Sequence, residues 1–129
     1  MILIIGGSFQ GKEEFAEAMF SQGEKPRWTD GGNASLEEML EGKFVRNFHL
    51  FVERALRGQA EADLSRLAEQ MMEGRPERVV TADETGCGIV PLDPKLRVIR
   101  EETGRLLCRM ARQADQVWRV TCGLGQRIQ

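Results

Sequence analysis

Residues 1–12 have the sequence MILIIGGSFQGK, and this stretch decides the fold. Its first five residues form a short apolar run rich in β-branched side chains, which is typical of a strand buried on both faces of a parallel sheet. Two glycines end the run, and from Lys12 the apolar residues recur at helical spacing until about Gln22, where Gly23 follows. The sequence therefore predicts a strand, a glycine-rich turn and a helix.

The turn matches the first seven positions of the phosphate-binding loop G-x-x-x-x-G-K-[ST]. Its glycines allow consecutive backbone N–H groups to face phosphate oxygens at the positive end of a helix, and the lysine adds a point charge on the outer phosphates. We expect the loop to bind a nucleotide and Lys12 also to act in catalysis; the alternative is a simple glycine turn with a surface lysine. The predicted nucleotide-binding residues are Gly6, Gly7, Ser8, Phe9, Gln10, Gly11, Lys12 and Glu13.

Glu13 departs from this motif, because the position after the lysine ordinarily holds a Ser or Thr hydroxyl that coordinates Mg²⁺. A carboxylate also binds magnesium, but near a polyphosphate it adds like-charge repulsion. Three consequences stay open at this point. The loop binds more weakly, it binds a less charged ligand, or it has lost catalysis.

A second set of candidate residues follows residues 78–82 (Arg-Val-Val-Thr-Ala), which are predicted to form another buried strand. Asp83 and Glu84 come directly after it and precede a second glycine-rich turn at 85–88. In open α/β sheets ligands lie outside the carboxyl ends of the strands, where an acidic residue can hold Mg²⁺. Asp83 and Glu84 are therefore candidate magnesium ligands, and Glu84 a candidate catalytic residue; alternatively they cap the turn or face solvent.

The rest of the chain continues the alternation of strands and helices. A loop with a short extended piece near 27–29 leads to a helix that starts at the capping box of Ser35 and Glu38 and extends to Leu56, with a potential break at Gly42. Further helices are expected over 61–72 and after Asp93, and further strands over 116–121 and 124–128. This order predicts an α/β fold with a mostly parallel sheet flanked by helices, in one domain covering residues 1–129.

His49 is the only histidine of the chain. On the predicted helix 35–56 it lies beside Val45 and Val52, at the edge of the apolar stripe. A histidine at such a position is expected to be packed or solvated rather than to act as a nucleophile or base.

Composition excludes several other classes of protein. The 129 residues include 18 basic and 20 acidic side chains, a net charge of −2 that argues against a dedicated nucleic-acid-binding protein. No apolar run is long enough for a membrane span, and no cleavable signal is recognisable. The three cysteines are widely spaced and odd in number, which favours a reducing compartment. We therefore expect a cytoplasmic protein without membrane or nucleic-acid partners.

The second glycine-rich turn and the residues after it resemble a known family. Glu84, Gly86 and the run 88–91 (Gly-Ile-Val-Pro) match its motif, and the similarity continues through Gly104-Arg105, residues 114–118 (Ala-Asp-Gln-Val-Trp) and residues 123–125 (Gly-Leu-Gly). The first twenty residues match less closely. The chain is similar to the bifunctional adenosylcobinamide kinase/adenosylcobinamide-phosphate guanylyltransferase family of cobalamin biosynthesis.

This resemblance implies a P-loop NTPase-like (RecA-like) fold that binds ATP or GTP with Mg²⁺. The family phosphorylates the aminopropanol hydroxyl of adenosylcobinamide and then transfers GMP to that phosphate through a guanylylated histidine, and its members assemble as trimers. Here Glu13 and the pair Phe9-Gln10 replace family residues, and the chain is shorter between Gln22 and Glu41, where the family has that histidine. We therefore expect the guanylyltransferase activity to be lost.

Three hypotheses follow from the sequence. The first is a kinase of the cobinamide kinase type, because phosphoryl transfer depends mainly on positioning and electrostatics and does not need the histidine. The second is a degenerate paralogue that binds a nucleotide or a corrinoid as a regulatory or partner subunit. The third is a structural protein that has kept the fold and binds no ligand.

Overall fold

A computed structural model of the protein describes residues 1–84 and 91–129, which contain a six-stranded sheet. The strands are β1 (Ile2–Gly6), β2 (Trp28–Asp30), β3 (Phe44–Arg46), β4 (Val79–Asp83), β5 (Gln116–Thr121) and β6 (Leu124–Arg127). Their order in the sheet is β2-β3-β4-β1-β5-β6. All neighbours pair in parallel except β6, which is antiparallel to β5. The predicted α/β fold with a mostly parallel sheet is confirmed.

Five helices of the described residues flank this sheet, namely α1 (Lys12–Phe20), α2 (Leu36–Glu41), α3 (Phe48–Leu56), α4 (Leu64–Met72) and α5 (Pro94–Gln113). The predicted capping box of α2 is present, since the Ser35 hydroxyl accepts from the Glu38 amide and the Glu38 carboxylate accepts from the Ser35 amide. Asp93 caps α5 as expected, by accepting from the amide of Lys95.

Strand β1 is buried on both faces, as its continuous apolar sequence indicates. Leu3 belongs to the large core cluster that α2, α3, α4 and α5 form with one face of the sheet. Ile4, the next residue, packs on the opposite face in a smaller cluster that includes Ala16 of α1. Both side chains are fully buried, so β1 holds the two layers together.

The carboxyl ends of β1 and β4 lie side by side, with Gly6 paired in register with Asp83. After β1 the chain continues into α1, which packs on one face of the sheet. The next helix after β4 in the chain is α5, and it packs on the other face. Two neighbouring strands whose connections diverge in this way leave a crevice between them at the carboxyl edge. The fold therefore positions a site at the ends of β1 and β4.

The potential break at Gly42 is present, but the helix predicted from Ser35 to Leu56 is wrong over residues 44–46. Helix α2 ends at Glu41, Gly42 adopts an extended conformation, and Phe44 to Arg46 form β3. Phe44 and Val45 are buried and pair with β4 on one side, while β3 pairs with β2 on the other. The aromatic and β-branched residues are favourable in a strand, and pairing inside the sheet overrides the helical spacing of the apolar residues.

Arg78 lies immediately before β4 and is fully buried. Its guanidinium donates hydrogen bonds to the carbonyl oxygens of Leu40, Gly42 (2.9 Å from Nε) and Met71. These carbonyls lie at the C-terminal ends of α2 and α4, where a positive charge is favourable. Arg78 thus joins two helix ends to the start of β4.

In the described ranges, no helix is both long enough and apolar enough to cross a membrane.

Candidate functional site

The turn between β1 and α1 has the backbone conformation that its glycines allow. Gly11 has φ of +86° and is the N-cap of α1, and Phe9 also has a positive φ, +58°, with a fully exposed side chain. The first amides of a helix have no partner inside the helix, and the helix dipole places a positive partial charge there. The turn therefore presents free donors at the carboxyl edge of the sheet.

Contacts with the hairpin formed by β5 and β6 fix this turn in place. The Gln10 carbonyl accepts a hydrogen bond from the amide of Gly123, and the Gln10 side-chain oxygen accepts one from the amide of Cys122, both at 2.7 Å. At the start of the turn, a Cβ on Gly6 would lie 2.4 Å from the carbonyl oxygen of Val120. Only glycine fits so close to the neighbouring backbone.

Lys12 is buried, and its ammonium group lies at the centre of the site. Nζ donates to the carbonyl oxygens of Gly7 at 2.7 Å and Gly6 at 3.3 Å, and to Oδ1 of Asp83 at 2.7 Å. The side chain therefore folds back over its own turn and forms an ion pair with the end of β4. An anion that binds to this ammonium group competes with Asp83 for it.

Asp83 accepts hydrogen bonds on both carboxylate oxygens, because Oδ2 lies 2.6 Å from the hydroxyl of Ser8 and Oδ1 binds Lys12. Burial alone would raise the pKa of Asp83, but the hydrogen bonds from Lys12 and Ser8 and the nearby positive charge outweigh it and hold the pKa below its usual range. Asp83 is therefore ionised at neutral pH.

His49 lies in the same site, in the first turn of α3. Its Nδ1 accepts a hydrogen bond of 3.0 Å from the backbone amide of Asp83, and its Nε2 lies 3.5 Å from Oδ2 of Asp83. Burial lowers the pKa of His49; the charge of Asp83 opposes this and that of Lys12 adds to it, with a net decrease. Because Nδ1 is an acceptor, the neutral ring carries its proton on Nε2.

Glu84 forms a two-point ion pair with Arg119 of β5. Its carboxylate oxygens lie 2.7 Å from Nε and 3.1 Å from Nη2 of Arg119, and its backbone amide donates to the carbonyl oxygen of Gly6 at 2.9 Å. A parallel pair of N–H to oxygen contacts is the strong geometry for arginine and carboxylate. Glu84 is thus held beside the turn.

Glu13 forms an ion pair with Arg46, the last residue of β3, with 3.3 Å between Oε2 and Nη1. Nε of Arg46 lies 3.5 Å from Oδ2 of Asp30, whose other oxygen accepts from the side-chain amide of Asn47 at 3.0 Å. The ends of β2 and β3 are therefore connected through charged groups to the first turn of α1.

A cleft of about 660 Å³ brings most of these groups together. Cavities of about 610 and 660 Å³ lie elsewhere on the described surface, so volume alone does not identify a site. What distinguishes this cleft is the meeting of the glycine-rich turn with charged side chains at the crevice of the sheet. Its walls are formed by Ser8, Phe9, Gln10, Gly11, Lys12, Glu13, Glu14, Asn47, His49, Leu50, Thr81 and Asp83.

Three carboxylates here, those of Glu13, Asp83 and Glu84, are suitable in kind for Mg²⁺, which prefers oxygen ligands, but each of the three is already in an ion pair. Asp83 is bound by Lys12 and Ser8, Glu84 by Arg119, and Glu13 by Arg46. Residues 1–84 and 91–129 contain no group of three or more His, Cys, Asp or Glu residues that could hold a metal ion. The described residues therefore do not form a ready magnesium site.

The structure places the predicted loop residues Ser8 to Glu13 and Asp83 in one cleft. Gly6 and Gly7 begin the turn but do not line the cleft, and Glu84 is turned toward Arg119. The second glycine-rich turn, at 85–88, lies outside the described residues. Sequence reasoning missed Arg46 and Asn47 because it placed them inside a helix, and it missed the contacts of His49 because the strand that ends just before this histidine was not predicted. The signal that could have found them is the short run Phe44-Val45, which as a strand puts them at the same edge as Asp83.

The fold and this cleft define the class of the protein, an α/β domain with a glycine-rich turn and a lysine at the carboxyl edge of a parallel sheet. Residues 38–128 match the family model of cobinamide kinase / cobinamide phosphate guanyltransferase. This match covers more than half of the chain, and the chain belongs to that family. The matched span begins after the turn of residues 6–12, so the assignment of a phosphate-binding loop depends on the turn itself.

A curated relative shares a shorter stretch. The bifunctional adenosylcobalamin biosynthesis protein CobU of Salmonella typhimurium is 42% identical over 50 residues. The stretch covers 39% of this chain and 28% of the relative, so the two proteins are compared over only a part of their lengths.

Proposed function

We propose that residues 1–129 form one nucleotide-binding domain that transfers the γ-phosphoryl group of ATP or GTP to adenosylcobinamide. The observation that supports this proposal is the meeting of Lys12 with Asp83 and Ser8 at the carboxyl ends of β1 and β4. An ammonium group and the first amides of a helix in one crevice are what phosphate binding requires, and phosphoryl transfer also uses a carboxylate close by. The family membership points to the same substrates.

In this proposal the backbone of residues 6–12 binds the phosphate oxygens, and Lys12 leaves Asp83 to neutralise charge on the transferred group. The oxygen of the acceptor hydroxyl forms a new bond to the γ-phosphorus while the bond from phosphorus to the β,γ-bridging oxygen breaks. The nucleoside diphosphate leaves with that oxygen, and the hydroxyl proton passes to solvent. Glu84, held by Arg119, helps to orient the acceptor. The chain thereby contributes mainly positioning and electrostatic stabilisation.

Magnesium is part of this proposal only as a component of the nucleotide complex, where it would shield the phosphate charges. Asp83 forms an ion pair with Lys12 and is the first candidate to contact the magnesium ion. Because its oxygens are already engaged, we derive no step through the metal.

We further propose that guanylyl transfer is lost. The chain has one histidine, and Nδ1 of His49 is occupied by the amide of Asp83. Nε2 carries the proton of the neutral ring and therefore has no free lone pair for attack on phosphorus.

Titration calorimetry with ATP, GTP and GDP, with and without Mg²⁺, tests nucleotide binding, and transfer of labelled γ-phosphate to adenosylcobinamide tests turnover. We expect micromolar binding. Lys12→Met should weaken it roughly 10- to 100-fold, the equivalent of losing one hydrogen bond to a charged group. Lys25→Met, at an exposed lysine, is the matched control. Equal affinities of the two variants, or no binding by the wild type, would refute the proposed site.

A second function is favoured by the ion pair of Glu13 and Arg46 at the position where the motif has a hydroxyl. In this second proposal the protein binds a nucleotide or a corrinoid without turnover, as a regulatory or partner subunit. Binding that is indifferent to Mg²⁺, together with no phosphate transfer, supports this function over the kinase.

A further inference from the structure

Glu13 is the residue at which this chain departs from the phosphate-binding motif, and the positively charged side chain of Arg46 lies beside it. Glu13 occupies the position of the metal-binding hydroxyl, and its carboxylate lies 3.3 Å from Nη1 of Arg46. Arg46 is the last residue of β3. The cleft is lined by Glu13 and by two residues that follow Arg46 in the chain, Asn47 and His49. The negative charge of Glu13, which would repel a phosphate, is therefore neutralised by the residue that ends β3.

Arg46 has unused hydrogen-bonding capacity. Among the described residues, its guanidinium makes one hydrogen bond, to Glu13, and is held near Asp30 by charge at 3.5 Å. Its Nε is shielded from solvent, faces Oδ2 of Asp30 and has no hydrogen-bond partner among the described residues, so the donors that remain for a ligand are on the two Nη groups. A guanidinium has five N–H donors in a planar fork that matches the oxygens of a phosphate. Arg46 can thus bind an oxyanion while Glu13 holds it in place.

We propose that Arg46 supplies, at this loop, the positive charge that a metal ion on the Ser or Thr hydroxyl supplies in the G-x-x-x-x-G-K-[ST] motif. The site then takes a phosphate-bearing ligand through Lys12 and Arg46 without needing a divalent cation for binding. This inference rests on the proposed nucleotide site. It concerns binding alone and holds whether or not phosphoryl transfer follows.

The carboxylates support this assignment because they are committed elsewhere. Lys12 and Ser8 occupy both oxygens of Asp83, and Arg119 binds both oxygens of Glu84. A metal ion would have to displace these partners, whereas Arg46 is already present beside the loop. Glu13 and Arg46 are about equally exposed, at 37% and 36%, so neither side chain is closed off from a ligand.

The test is calorimetric binding of GTP, ATP and inorganic tripolyphosphate to the full chain, in EDTA and in Mg²⁺. The wild type should bind in EDTA with an affinity within about threefold of that in Mg²⁺, and Arg46→Gln should lose at least about tenfold in EDTA. Arg57→Gln is the matched control, because Arg57 and Glu53 form an ion pair of similar exposure, 35% and 34%, away from the cleft. Circular dichroism checks that each variant is folded.

Two further variants separate charge from shape, and the first of them, Arg46→Lys, keeps the test valid through its comparison with the wild type if Arg46→Gln does not fold. Arg46→Lys retains the charge without the planar fork and should bind less tightly in EDTA than the wild type but more tightly than Arg46→Gln. The double variant Glu13→Ser/Arg46→Gln restores the motif hydroxyl and should bind at least about tenfold more tightly with Mg²⁺ than in EDTA.

The inference is overturned if the wild type binds only with Mg²⁺, or if Arg46→Gln binds as Arg57→Gln does; in both cases the proposed nucleotide site stands. Absence of binding by the wild type in both solutions overturns the proposed function, and the role of Arg46 with it.

Discussion

Replacement of Arg78 by methionine tests the most deeply buried charge of the described structure. Methionine has a similar length and fills much of the same volume, but it has no donors. The carbonyl oxygens of Leu40, Gly42 and Met71 would then lose their hydrogen bonds from the guanidinium. Burial lowers the pKa of Arg78, which shows the cost of holding this charge away from water.

The size of the effect follows from these three acceptors. A hydrogen bond to a charged group contributes about 1.5–3 kcal/mol, and a buried group left unpaired costs about 1–3 kcal/mol. Removing the guanidinium also removes its own desolvation cost, which offsets part of the loss. Three buried carbonyls left unpaired, less this offset, give an expected decrease of about 3–5 kcal/mol in the free energy of unfolding. For a chain of this size, this corresponds to a Tm lower by roughly 10–20 °C.

Urea and thermal unfolding followed by circular dichroism measure this change. The control is Arg75→Met, because the side chain of Arg75 is partly exposed and pairs with Glu77 at 3.5 Å, a surface contact worth at most about 1 kcal/mol. Arg78→Lys keeps the charge and part of the hydrogen bonding and should lie between the wild type and Arg78→Met. If Arg78→Met unfolds at the same urea concentration as Arg75→Met, the three hydrogen bonds do not stabilise the fold and the reasoning is refuted.

Two other predictions concern the loop and the histidine. Gly6→Ala should destabilise the protein and weaken nucleotide binding, because the new Cβ would lie 2.4 Å from the Val120 carbonyl oxygen. Gly7→Ala is the control and should fold normally, because its Cβ would lie 3.6 Å from a flexible side chain. Equal unfolding curves of the two variants would contradict this. Folding lowers the pKa of His49 below its usual 6.5, so the unfolded chain binds more protons and stability should decrease as the pH falls below about 6.5. His49→Gln should remove this decrease in the free energy of unfolding, measured with urea between pH 7 and 5. An unchanged dependence of this free energy on pH would show that another group is responsible.

The sequence was sufficient for the elements whose local signals agree. Strand β1 combines β-branched residues with terminating glycines, and the start of α2 has both partners of its capping box, Ser35 and Glu38. Local preference and tertiary environment favour the same conformation at these places, so short-range reasoning succeeds. The position of Asp83 at the end of β4 follows from the same kind of signal.

The error at β3 has a physical cause. Phe44, Phe48, Phe51 and Val52 have helical spacing, and three strand residues are too few to show an alternating pattern. Only the place of β3 between β2 and β4 identifies it as a strand, and such pairing is not visible locally. The contacts of His49 and Arg46 were missed for this reason, since both depend on where β3 ends.

The pairing of β1 has a consequence for the order in which the molecule is assembled. Its two neighbours, β4 and β5, come from far along the chain, so during translation the strand leaves the ribosome long before either partner exists. Contacts over such separations form slowly, because a long loop must close first. Until then the nascent chain carries an apolar strand with both edges open, which favours aggregation. Expression at lower temperature or with chaperones should therefore raise the yield of native protein.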